Sequence, residues 1–153
     1  MYDAHASEIP LAAWQDPQGD VLLVYSEAEC SIYFGCWTDA GQPADYVCRL
    51  RFKGAKGVRS YPREFVPYDY TSRHHSSILE VEASPWRAEQ IEKHWRLSET
   101  VYTSHPPLPF EVRHFVVKGH DIYHEILAAE FEESRIERKD INEPRLLALI
   151  DAA

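Results

Sequence analysis

The sequence predicts an α+β fold: an antiparallel sheet of about six strands, one central helix packed on it, and a short C-terminal helix. Three observations predict this. Short runs rich in β-branched and aromatic residues, separated by turn-forming Gly, Pro and Asp, fill Asp20 to Phe65. One run with a helix-start signature begins at Ser84. A second pair of apolar runs then flanks Gly119-His120. At 153 residues, with no linker-like stretch, the whole chain 1–153 reads as one domain.

Taken in order, Val21 to Tyr25 and Ser31 to Trp37 are joined by the polar Ser26 to Cys30, a length suited to a hairpin. Gly41 and Pro43 reverse the chain into a third run, Tyr46 to Phe52. There Arg49, Arg51, Lys53, Lys56 and Arg59, with Leu50 and Phe52 between them, read as the solvent side of a half-buried strand. Pro62 to Ser77, rich in Pro, Tyr, Asp, Arg and His, has no clean period and reads as a long loop with exposed side chains. Strand alternation resumes over Ser77 to Glu82. Ser84 then caps a helix with Pro85 at its first position, running to about Ser98 and burying Ala88, Ile91 and Trp95. His105, Pro106, Pro107 and Pro109 form a rigid extended connector.

Glu111 to Lys118 and Asp121 to Glu130 form the late hairpin, with a two-residue type II′ turn that sets Val117 opposite Ile122 and His114 opposite Glu125. A competing reading makes Asp121 to Arg138 a helix, because Ile126 to Ala129 and the Glu-rich stretch after them are good helix formers. Strand through Phe131 is the reading preferred here. Asn142 caps a final helix with Pro144 in its first turn and Leu146, Leu147, Leu149 and Ile150 to bury.

The formal charge of -9 repels phosphate backbones, so the sequence predicts neither nucleic acid nor membrane as a partner. No run is apolar over the roughly 18 residues a bilayer span needs, and Met1 to Pro10 lacks a signal-peptide pattern, which predicts a cytoplasmic protein. Cys30, Cys36 and Cys48 are odd in number without CxxC spacing and read as reduced core thiols.

Eight histidines are many for this length, and seven follow residue 73. His120 and His124 chelate one ion only on a helix, since on a strand they stand roughly 13 Å apart. The strand reading instead pairs His114 with Glu125, either as a tuned base or as a structural pair. Ser72, Ser76 and Ser77 sit in no GxSxG elbow, and neither a GxGxxG nor a Walker pattern occurs. Trp14, Trp37 and Trp95 read as core, whereas Tyr61, Tyr68, Tyr70 and Trp86 surround the irregular loop, where aromatic side chains favour binding.

The segment Ser76-Ser77-Ile78-Leu79-Glu80-Val81-Glu82-Ala83-Ser84-Pro85-Trp86, with His114-Phe115 and Asp121 to Ala128, resembles small uncharacterised bacterial proteins over the second half of the chain. The resemblance implies the late hairpin and no activity. Some such acidic proteins are immunity partners of toxins, by analogy only.

The leading functional expectation is a non-enzymatic binding module without a cofactor, using Tyr68, Tyr70, Arg73 and His74 of the Pro62 to Ser77 loop to engage a protein or small-molecule ligand. A homodimer is compatible with it. The alternative is a metal-dependent hydrolase with zinc or another divalent ion on His114, His120, His124 and Glu125. A third reading is an immunity-type protein whose acidic surface neutralises a basic partner.

Overall fold

A long antiparallel strand pair that turns a corner organises the chain. The computed structural model describes residues 4–100 and 112–151, with side chains outside 94–100. The strands are β1 (Ala4–Pro10), β2 (Trp14–Gln15), β3 (Val21–Tyr25), β4 (Cys30–Trp37), β5 (Pro43–Lys53), β6 (Gly57–Pro62), β7 (Tyr68–Asp69), β8 (Ser77–Val81), β9 (Arg113–Lys118), β10 (Ile122–Ala128) and β11 (Glu130–Glu137). The helices are α1 (Pro85–Thr100) and α2 (Pro144–Asp151).

β5 pairs with β11 up to Lys53 and Glu130, and β6 pairs with β10 from Gly57 and Leu127. Between these registers, Ala129 N donates to Lys53 O (2.8 Å) and Lys56 N to Leu127 O (2.7 Å), so the ladder continues around a bend. Gly54 makes the bend with φ of 64°, a conformation that costs a side-chain-bearing residue about 1 kcal/mol or more. Each chain segment thereby passes from one sheet to the other, as at the corner of a folded β-sandwich.

The result is two sheets instead of the single sheet expected. One runs β6-β10-β9-β8-β1-β7, with the β1–β7 pair parallel, and the other runs β11-β5-β4-β2 with β3 also on β4. The sequence reading missed β1, because Ala6 is its only fully buried side chain and leaves little apolar signal. Ile32, Phe34, Leu50 and Phe52 from one sheet meet Ile78, Phe115, Val117 and Ile126 from the other in a shared core. Phe52, Phe115 and Phe131 contact one another at the corner, with ring centroids 5.4 to 5.9 Å apart.

The outer face of the five-stranded sheet is covered by α2, through Ile150 and Leu146 against Tyr33 and Val47. The outer face of the six-stranded sheet carries Leu79, Val81, Val116 and Tyr123, with Tyr68 from β7 packed on them. That face also bears His114, Glu125 and Lys118.

The segment read alternatively as a helix is strand instead, over Ile122–Ala128 and Glu130–Glu137 with a break at Ala129, and a single 3-10 turn begins at Arg138. Ser84 caps α1 as expected, its Oγ accepting from Arg87 N at 3.0 Å. The expected buried face of α1 is corrected: Ala88 is exposed, Ile91 half-buried, and Trp95 lies outside the described side chains. The helix is anchored instead at its first turn, through Ser84 and Trp86. The connector around His105 to Pro109 lies outside the described residues. Trp14 and Trp37 are half-buried edge partners, not core, with rings 5.7 Å apart. All three cysteines are buried and unpaired. Among the described residues, no helix is long and apolar enough to cross a membrane.

Candidate functional site

Two polar assemblies share the outer face of the six-stranded sheet. On β9, alternation sends Phe115 and Val117 into the core and turns His114, Val116 and Lys118 to the other side. On β10, Ile126 points inward while Tyr123 and Glu125 share the outer side.

His114 and Glu125 do meet, although the expected register is two residues off. The turn between β9 and β10 spans Gly119 to Ile122, Lys118 faces Tyr123, and Glu125 therefore stands opposite Val116. A shift of two preserves the face, so the imidazole reaches diagonally across. His114 Nε2 hydrogen-bonds Glu125 Oε1, and Ser84 Oγ lies 2.6 Å from His114 Nδ1. Tyr68 donates to the same Glu125 oxygen at 2.5 Å. Arg59 Nη2 donates to Tyr68 (3.0 Å) and to Glu125 (3.3 Å), with its guanidinium 4.2 Å from the Trp86 ring. Tyr61 completes the group, its hydroxyl 3.4 Å from that of Tyr68.

His114 and Glu125 have no exposed surface, and burial governs their protonation. It pushes His114 down to about 3 and Glu125 up to about 7. Both shifts favour the uncharged forms, that is a neutral hydrogen-bonded pair over a His114–Glu125 ion pair. Ser84, His114 and Glu125 have the chemical makeup of a nucleophile, a base and an orienting acid. Ser84 is only 2% exposed, however, and its oxygen is already engaged as the cap of α1. The network holds the sheet, the β7 segment and the start of α1 together. Glu125 Oε2 and Arg59 Nε are buried within it without a hydrogen-bond partner.

The second assembly is open. Four residues along β9 from His114, Lys118 lies at a cavity of about 190 Å³. Arg63, His75 and His120 also line it, with Ser76, Ser77 and Tyr123. No acidic side chain is among the described residues that form its wall. Lys118 Nζ donates to Ser77 Oγ at 3.1 Å, and the Ser77 hydroxyl donates to Glu8 Oε2 at 2.6 Å. Burial pulls the Lys118 amine below its ordinary value, while Glu8 opposes that shift.

Each wall is fixed by local bonding. Ser76 Oγ donates to Ala13 O (2.6 Å) and accepts from Gln15 N (3.0 Å), and Gln15 Nε2 donates to Lys118 O (2.6 Å). The His75 ring packs on Trp14 at 4.8 Å. Gly119 makes the hairpin end, where any Cβ would lie 2.4 Å from Ile122 O. His120, at the rim, is 3.1 Å from Asp121.

The residues expected to bind a partner separate into three places. Tyr68 is 4% exposed and belongs to the buried network, because the parallel β1–β7 bridge draws it inward; this corrects its expected surface position. Tyr70 is half-buried, with Lys118 Nζ 5.2 Å from its ring. Arg73 and His74 are exposed and line a different cleft of about 320 Å³, their backbone N–H groups both held by Glu8.

The four residues considered for a metal do not converge either. His120 sits in the turn, and His124 falls on the opposite face of β10 from Glu125, with Nδ1 2.6 Å from Ser60 Oγ. No group of three or more His, Cys, Asp or Glu is placed to share an ion among the described residues. Sequence reasoning overlooked Arg59, Arg63 and Lys118. The available signal for Lys118 was its position as the charged end of an apolar strand beside a turn glycine. No family model, curated protein or solved structure matches the chain.

Proposed function

We propose that the protein is a binding module for small anions, and that the two ends of the Pro62 to Ser77 segment close on the β9–β10 hairpin to form its site. The observation that carries this reading is the sign of the cavity. Arg63, Lys118, His75 and His120 line it without an acidic side chain among its described residues, in a chain whose net charge is -9. A desolvated ammonium whose direct partner is a hydroxyl gains from an incoming negative charge. Ser76, Ser77 and Tyr123 add hydroxyls that orient an oxyanion.

The volume sets the ligand size. At roughly 30 Å³ per water, a space of about 190 Å³ suits a phosphate or a short carboxylic acid. It is below the roughly 300 Å³ at which larger ligand pockets begin. Three buried, unpaired cysteines fit a reducing compartment, and we place the protein in the cytoplasm.

Thermal unfolding with phosphate, sulfate and pyruvate, each against chloride at equal ionic strength, tests the reading. A site filled at about 100 times Kd stabilises the fold by about 2.7 kcal/mol, so the midpoint should rise by several degrees and fall back in Arg63→Ala and Lys118→Met. No rise with any of the anions, or a rise that both variants retain, would remove the proposal.

A further inference from the structure

We infer that Lys118 forms an imine with short 2-oxo acids inside this cavity, an inference that rests on the anion-binding reading and names the ligand class. The chain has five lysines, and four of them lie at the surface away from this cavity. Lys53 pairs with Glu132 and Lys93 with Glu89, while Lys56 and Lys139 are exposed. Lys118 differs in setting. Its amine lies at a walled cavity, 5.2 Å from the Tyr70 ring and bonded to a hydroxyl instead of a carboxylate. Only an unprotonated amine attacks a carbonyl, and burial raises the free fraction.

The same wall supplies what a 2-oxo acid needs. Arg63, His75 and His120 attract the carboxylate, which places the adjacent ketone within the small space shared with Lys118. In the addition, the amine nitrogen bonds to the carbonyl carbon, the π electrons move to oxygen, and one amine proton moves to that oxygen. The carbinolamine then loses its hydroxyl together with the second amine proton as water, leaving a C=N bond. Both protons come from the amine, so no other reactant is consumed. Ser77, which accepts from Nζ and donates to Glu8, is placed to carry a proton between nitrogen and oxygen.

Pyruvate with sodium cyanoborohydride, followed by peptide mapping of the full chain, tests the inference. The expected result is a reduced adduct concentrated on Lys118, in excess of that on each other lysine, because its amine is the one held at the cavity and partly desolvated. Lys118→Arg should lose that adduct, because a guanidinium forms no imine under these conditions. Labelling spread evenly over the lysines, or undiminished in Lys118→Arg, would overturn the imine. A phosphate-induced rise without Lys118 labelling would overturn the imine alone. If phosphate and pyruvate give no rise and Lys118 takes no label, both readings fall.

Discussion

His114 and Lys118 stand on the same outer face of β9, roughly 13 Å apart along the strand, and meet opposite fates. Around His114, side chains from β6, β7, β10 and the start of α1 fill every direction, so its polar atoms are used up in bonding the protein to itself. Around Lys118 the covering segment ends, and Ser77 satisfies the amine from one side only. The same sheet face thus yields a structural network where it is covered and a candidate site where it is not. Residue type alone does not distinguish them. What distinguishes them is whether the partners close.

The largest expected effect breaks the closed region. Glu125→Ala removes the shared partner of His114, Tyr68 and Arg59, and should cost roughly 1 to 3 kcal/mol for each buried group left unpaired, measured in urea unfolding. The folded fraction should still bind phosphate. A cost below about 1 kcal/mol would show that the network is not what holds the face together.

The second effect concerns pH. His114, with a folded value of about 3 against an ordinary 6.5, contributes stability that is complete above 6.5 and lost as pH falls towards 3. Glu125, raised to about 7 from 4.5, contributes in the opposite sense: its stability is complete below 4.5 and lost as pH rises to 7. Between 4.5 and 6.5 the two slopes cancel, so their joint contribution is flat there and falls below 4.5. Glu125→Gln removes one slope. Stability of that variant should then rise by about 1.4 kcal/mol per pH unit between 4.5 and 6.5, measured by denaturation across that range. A variant profile parallel to that of the unaltered protein would contradict the neutral-pair assignment.

The open region should respond in reverse. Lys118→Met should alter stability by no more than about 1 kcal/mol, since a half-buried hydrogen bond is replaced by apolar contact. Calorimetric titration should nonetheless show phosphate affinity reduced about tenfold, the loss of one charge-assisted contact. Large destabilisation would make Lys118 another structural member. The smallest effect lies beside the closed region, at Ala83 next to Ser84, whose φ of 47° strains the turn into α1. Ala83→Gly relieves that strain at some entropic cost, and a gain on the order of 0.5 kcal/mol in urea unfolding is expected, without change in phosphate affinity.

The reach of the sequence follows the same division. The late hairpin, the Ser84 cap and the α2 pattern are local, and each is legible from turn chemistry or periodicity. The His114–Glu125 contact was legible because the period of two survives a register error of two. Tyr68 was not, because a bridge to β1 places it, and nothing near Tyr68 encodes that bridge. Arg59 looked like one more cation on a solvent-facing strand until the bend after Lys53 carried it to the other sheet, where Glu125 and Trp86 receive it. The Lys118 cavity joins 63, 75–77 and 118–123, segments whose proximity is set by strand order and by no local motif.

The bend at Gly54 and Ala129 also governs how the chain reaches this state. Gly57 must find Leu127 and Lys53 must find Glu130 before either sheet has its partner ladder, so the nucleus requires closing a long loop. Such topologies fold in milliseconds to seconds instead of microseconds. The same two segments run through both sheets, so the β5–β11 and β6–β10 ladders are coupled at the bend. Hydrogen exchange in β5 and β10 should therefore report one shared opening event.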